Sequence, residues 1–170
     1  MLTLVFPNSS HKEAYIDIIQ EWKNTPEFLS GEASPQTLFL GVNFEEFLSI
    51  AEQDLLGNAL WAPATLFFLM DWNYIFWAIQ IRHNIDHPRL LEFGWHISYG
   101  IRPSERQKWY ATKMLFLGLF EARRLWIERV LLGCYDDNIA SQKTIESNGG
   151  VFERYTEFEG KKSRRYWIDL

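Results

Sequence analysis

The chain has 170 residues, 47% of them hydrophobic and 16% aromatic, with a formal net charge of -5 and a single cysteine. That length suits one domain with a substantial core, and the acidic balance argues against a nucleic-acid backbone as partner. Cys134 alone cannot form an intrachain disulfide, which fits a reducing, cytoplasmic setting. No run of about 18 uncharged apolar residues appears, so no membrane span is expected, and residues 1–7 lack the pattern of a signal peptide.

Residues 2–6 read as a strand. Ser10-His11-Lys12-Glu13 fits a capping box, opening a helix that places Ala14, Ile18 and Ile19 on one face. Residues 24–42, with two prolines and two glycines, read as irregular. Asn43-Phe44-Glu45-Glu46 is a second cap, followed at helical spacing by Phe47, Ile50, Ala51 and Leu55, with Gly57 as the stop. Residues 64–70 and 74–83 are strand runs joined through Asp71-Trp72-Asn73, a predicted hairpin.

Residues 90–101 read as a third strand, and 108–125 as a helix with Met114, Leu115, Leu117, Gly118 and Ala122 available for packing. Residues 129–135 are apolar and β-rich, 138–148 form a short helix closed by Gly149-Gly150, and 151–158 with 163–170 make a final hairpin around Glu159-Gly160. Crossover helices beside hairpins predict an α/β (α+β) fold. A mixed, mostly antiparallel central sheet would carry helices on both faces, in one domain over residues 1–170.

Three stretches carry a resemblance. They are Ile81-Arg82-His83, then His96-Ile97-Ser98-Tyr99-Gly100-Ile101-Arg102-Pro103-Ser104-Glu105-Arg106, then Asp137-Asn138-Ile139-Ala140-Ser141. In this order and on these elements they resemble the GNAT N-acetyltransferases, in particular a branch of predicted bacterial acetyltransferases. The family's diphosphate loop reads Arg/Gln-x-x-Gly-x-Gly/Ala. Here Arg106 fills the first place and Ala111 the last, with Trp109 where the family has glycine.

The resemblance implies the GNAT acyl-CoA N-acyltransferase fold and acetyl-CoA as cosubstrate. It assigns Arg106, Gln107, Lys108, Trp109, Tyr110, Ala111 and Thr112 to the diphosphate, backbone contacts to Tyr99 and Ile101, and the far wall of the cleft to Asn138 and Ser141. Independent physics agrees: a loop ending in a helix N-terminus offers free N–H donors and the positive end of the helix dipole to an anion.

Acetyl transfer benefits from a base for the amine and an acid for the leaving thiolate. Glu92 and His96, four apart on the predicted strand, share a face and are the base candidates. A surface carboxylate and a backbone-bonding histidine are their plain alternatives. Ile145 stands where many family members have a thiolate-protonating tyrosine, so Ser141 or water would supply that proton, or no acid would be needed. Arg82 and His83 are candidates for substrate binding, and Cys134 reads as a small core residue; no metal-ligand spacing appears.

The implied reaction is direct attack by a primary amine in a ternary complex. The amine belongs to a small molecule, a peptide N-terminus or a lysine. The alternative is a catalytically degenerate GNAT-fold module that binds CoA or regulates, for which Trp109 and Ile145 speak. Oligomeric state stays open, a homodimer included.

Eight tryptophans are a heavy load for this length. Trp72 centres a hairpin turn, and Trp126 follows a helix end where glycine normally turns left-handed. Trp77, Trp95 and Trp109 stand where the resembling family has glycine. Some of these five are expected to be glycine in the natural protein, through UGA codons read with the wrong table; the rival is real divergence, with the aromatic groups filling the cofactor cleft.

Overall fold

The computed structural model describes residues 1–23, 25, 41–58, 62–86, 88–158 and 160–170. In chain order these form β1 (Thr3–Val5), α1 (Lys12–Trp22), α2 (Phe44–Asp54), β2 (Ala64–Asp71), β3 (Tyr74–Arg82), α3 (Pro88–Phe93) and β4 (Ile97–Tyr99). There follow α4 (Tyr110–Arg124), β5 (Arg129–Tyr135), α5 (Ile139–Ser147), β6 (Val151–Phe158) and β7 (Lys161–Asp169). Most of the predicted irregular stretch 24–42 lies outside the described residues.

The strands make two antiparallel sheets, β1-β2-β3-β4 and β5-β7-β6. They meet where the His96 amide donates to the Leu131 carbonyl (2.8 Å) and the Leu131 amide donates to His96 Nδ1 (2.9 Å). Alternation sends the side chains of each strand to opposite faces. On one face Leu66, Phe68, Met70 and Ile75 pack under Tyr15 and Ile18 of α1 and Phe44 and Phe47 of α2. On the other, Leu69, Ile79, Ile81, Val130 and Leu132 pack under Met114, Leu115 and Ala122 of α4. Helices thus cover both faces, as the sequence predicts.

Three local readings are corrected. The first capping box is two residues earlier. Asn8 Oδ1 accepts from the Ser10 amide (3.0 Å) and the Asn8 amide donates to His11 Nδ1 (3.1 Å), so Ser10 and Glu13 do not form it. The predicted strand 90–101 divides into helix α3 and the three-residue β4. Pro88 opens that helix at a position where a missing N–H costs nothing, and Leu90 docks with Ile85 against Leu131 in a small core of its own. The last strand begins at Lys161 rather than at residue 163. The second cap is as read, with Asn43 Oδ1 accepting from the Glu46 amide at 2.9 Å.

Two helices end in the same motif. After α5, the Gly149 amide donates to Glu146 O (3.0 Å) and the Gly150 amide to Ile145 O (3.0 Å), with Gly149 at φ 88°. After α4, the Trp126 amide donates to Arg123 O (3.0 Å) and the Ile127 amide to Ala122 O (3.2 Å), with Trp126 at φ 62°. These are paired 5→2 and 6→1 bonds, whose pivot residue favours glycine. A side chain in the left-handed region costs about 1–2 kcal/mol, and the Trp126 indole is 91% exposed, so little packing offsets that cost. Trp126→Gly is therefore expected to raise unfolding free energy by about 1–2 kcal/mol, read from the denaturant midpoint; a lowered midpoint would contradict the assignment.

Candidate functional site

A cleft of about 670 Å³ opens between β4, the loop that follows it, the start of α4 and the start of α5. Its loop side is built from Ile101, Arg106, Gln107, Trp109, Tyr110, Ala111 and Thr112, and its far side from Asn138 and Ser141, with Tyr99 at its base. Helix α4 has no side-chain cap, and its first turn closes only when the Lys113 amide donates to Trp109 O (3.1 Å). The amides of Tyr110, Ala111 and Thr112 precede that bond, so they are the orphan donors of the helix start.

The β4 edge is oriented by its pairing. The Gly100 amide donates to Ala78 O (3.1 Å) and the Arg102 amide to Phe76 O (2.9 Å). Alternation therefore turns the main-chain groups of Tyr99 and Ile101 away from β3, toward the cleft. On the far side, Asn138 caps α5 by accepting from the Ser141 amide (3.0 Å), and Ser141 Oγ lies 2.9 Å from Tyr99 Oη. Burial holds the Tyr99 phenol above its ordinary pKa, so it keeps its proton.

The loop is tied down from behind. Arg102, almost wholly buried, donates from Nε to Glu21 Oε2 (2.7 Å), from Nη2 to Asp17 Oδ2 (2.9 Å) and from Nη1 to Ile75 O (3.3 Å). The Ser104 amide donates to Glu21 Oε1 (2.6 Å). Burial would raise the Glu21 pKa, but the Ser104 amide and Arg102 outweigh it and hold the carboxyl below its usual range. The Arg102-Pro103-Ser104 motif thus anchors the loop to α1. At the cleft itself, the Arg106 guanidinium lies 5.0 Å from the ring centre of Trp22.

Several predicted residues fall elsewhere. Lys108 is not on the lining; its ammonium pairs with Glu105 at 3.2 Å. Glu92 is exposed on α3 rather than on a strand, so it shares no face with His96, and its carbonyl accepts from Arg165 Nη1 (2.8 Å). His96 is buried at the joint between the sheets, its Nδ1 taken by the Leu131 amide. Burial, helped by the charge of Arg82 and partly offset by Asp86, pushes its pKa down to about 4. Neither Glu92 nor His96 lines the cleft.

Arg82 and His83 are off the lining as well. Arg82 Nη1 donates to Trp95 O (3.0 Å), and His83 Nε2 is 2.8 Å from Thr65 Oγ1. Ile145 is fully buried, so no hydroxyl stands there. Burial pushes the Cys134 thiol up to about 11, as suits a core cysteine.

The lining also includes Trp22, Glu105, Ala140, Lys143 and Thr144. Ala140 and Thr144 are one helical turn apart on α5, a spacing visible in the sequence once Ser141 is placed. Trp22 belongs to no motif. Among the described residues no helix is long and apolar enough to cross a membrane.

No family model matches the chain, and no curated protein matches its sequence. Solved structures do match. The Microcin C7 self-immunity acetyltransferase MccE, in complex with acetyl-CoA and AMP, is 19% identical, with 99% of this chain and 92% of that one covered and a TM-score of 0.69. RimL, a ribosomal α-N-protein acetyltransferase in complex with coenzyme A, is 17% identical over 99% of this chain and 94% of that one, with a TM-score of 0.71. A chimera of the spermidine N-acetyltransferase SpeG from Vibrio cholerae and hSSAT is 16% identical over 99% and 94%, with a TM-score of 0.65. With its paired sheets and covering helices, the chain has the GNAT N-acetyltransferase fold.

Proposed function

We propose that the protein is an acetyl-CoA-dependent N-acetyltransferase acting on a primary amine. The observation that carries this is the uncapped start of α4, whose amides open onto a cleft in a fold that solved acetyltransferases share. The diphosphate binds the main chain of Gln107 and of residues 109–112, with charge from Arg106. The pantetheine arm runs along the Tyr99 and Ile101 edge of β4. A main-chain amide there polarises the thioester carbonyl and stabilises the oxyanion formed on attack.

The amine attacks directly, losing its proton to water. The thiolate takes a proton through Ser141 Oγ, held 2.9 Å from Tyr99 Oη, and the water that received the amine proton returns one to Ser141. Acceptors in keeping with the neighbours' names are polyamines and protein N-termini. A thiol-release assay across an amine panel tests the reading. Turnover is expected with at least one amine, with kcat lowered about tenfold or more in Ser141→Ala and KM for acetyl-CoA little changed.

Trp109 and Ile145 favour a second reading, a module that binds CoA without transferring acetyl groups. Saturable CoA binding with no thiol release from any amine would favour that module over the enzyme.

A further inference from the structure

Four tryptophans have backbones made for glycine. Trp72 (φ 52°), Trp77 (φ 137°), Trp109 (φ 61°) and Trp126 (φ 62°) all lie at positive φ, and among the other described non-glycine residues only Gln107 does. Described glycines at positive φ are also four: Gly41, Gly57, Gly149 and Gly160. In this chain tryptophan enters the left-handed half of backbone space as glycine does, whereas a bulky side chain there is an outlier.

The local settings agree. Trp72 is the first residue of the two-residue loop between Asp71 and Tyr74, where a hairpin turn favours glycine, and its indole is 92% exposed. Trp77 follows the register shift of the β2–β3 pair, a bulge position, and its buried Nε1 has no partner among the described residues. Trp109 begins α4 in the left-handed conformation with no capping bond. Trp126 makes the same hydrogen bonds as Gly149. Trp95 differs. Its φ is not positive, its Nε1 donates to Ser98 Oγ (3.0 Å), and its ring covers Gly133, so it is not included.

We propose that positions 72, 77, 109 and 126 are glycine in the protein as its own cell makes it, encoded by in-frame UGA. One decoding table reads that codon as tryptophan and another as glycine, so a single change of table converts a scattered set of glycines together. The assignment rests on backbone geometry and is independent of the acetyl-transfer reading. Its consequence for that reading is at 109, where glycine takes an indole out of the cleft lining beside the helix-start amides.

Three measurements test it. The gene is expected to carry UGA at the four codons, and peptide mass spectrometry of protein from the source cells to read glycine at each. UGG codons, or tryptophan in the peptide, overturn the assignment at that position, and at all four overturn it entirely. In a host that reads the standard table, the triple variant Trp72→Gly, Trp109→Gly and Trp126→Gly, whose three indoles are exposed, is expected to melt about 6 °C or more above the tryptophan form. An equal or lower melting temperature contradicts the strain on which the assignment rests.

Discussion

Trp109→Gly is expected to tighten acetyl-CoA binding about tenfold or more. Trp109 lines the cleft next to the helix start, and its indole lies against the Tyr110 ring, ring centres 5.1 Å apart. Left-handed strain is present with or without ligand, so its relief alone changes stability and not affinity. The affinity gain comes from removing the side chain between the diphosphate and the amides of residues 110–112. One recovered charge-assisted bond contributes about 1.5–3 kcal/mol, and about 1.4 kcal/mol is already tenfold in Kd. Trp109→Ala separates the effects: it removes the indole and keeps a Cβ at positive φ, so affinity should rise while stability hardly moves. Trp126→Gly, at the opposite end of α4, should do the reverse. Calorimetric titration reads the affinities of the three variants and urea unfolding their stabilities, and an unchanged Kd in Trp109→Gly would show that the indole does not obstruct the site.

Acid should weaken the fold well before its carboxylates titrate. His96 has its pKa lowered from 6.5 to about 4, chiefly by burial. The unfolded chain therefore binds a proton at this residue as pH falls below about 6.5, while the folded chain stays neutral there until about 4. Stability at this residue is complete above the upper value, declines through the window and levels off below it. At about 1.36 kcal/mol per pH unit, the loss is about 3 kcal/mol. His11 and His83, both lowered by burial, add to the slope in the same range. Glu21, whose pKa is also lowered, acts only below the ordinary carboxylate value of 4.5. The informative quantity is thus the difference between the parent chain and His96→Asn, whose side-chain oxygen can still accept from the Leu131 amide. Urea titrations between pH 7 and pH 4 should show the variant losing markedly less stability. Parallel profiles would mean that His96 is charged in the folded state.

These two residues also mark what the sequence could and could not reveal. The loop wall was legible because contiguous residues at a helix start keep their neighbours when the chain folds: Arg106, Gln107, Trp109, Tyr110, Ala111 and Thr112 all line the cleft. Tyr99 and Ile101 came from the family resemblance, and the strand pairing turns their main-chain groups away from β3. His96 was visible as a residue but not as a joint, because its partner is the main chain of Leu131, 35 residues away. Glu92 was misplaced because Leu90, Leu91 and Phe93 read equally well in helix or strand, and Pro88 was the overlooked signal. The shifted cap at Asn8 shows the same limit, since Ser10 and Asn8 are both good caps and only geometry chooses. Trp72 and Trp126 were legible as strained sites because turn and helix-end chemistry is local, whereas the bulge beside Trp77 depends on pairing with Leu69 and Met70.

The most direct test of the whole account is an NMR titration of the labelled chain and of Trp109→Gly with CoA. Amide shifts are expected at Gln107, Tyr110, Ala111 and Thr112 on one wall, at Tyr99 and Ile101 along β4, and at Asn138 and Ser141 opposite, saturating together and more tightly in the glycine variant. Saturating CoA that leaves those amides unmoved in both proteins would contradict it.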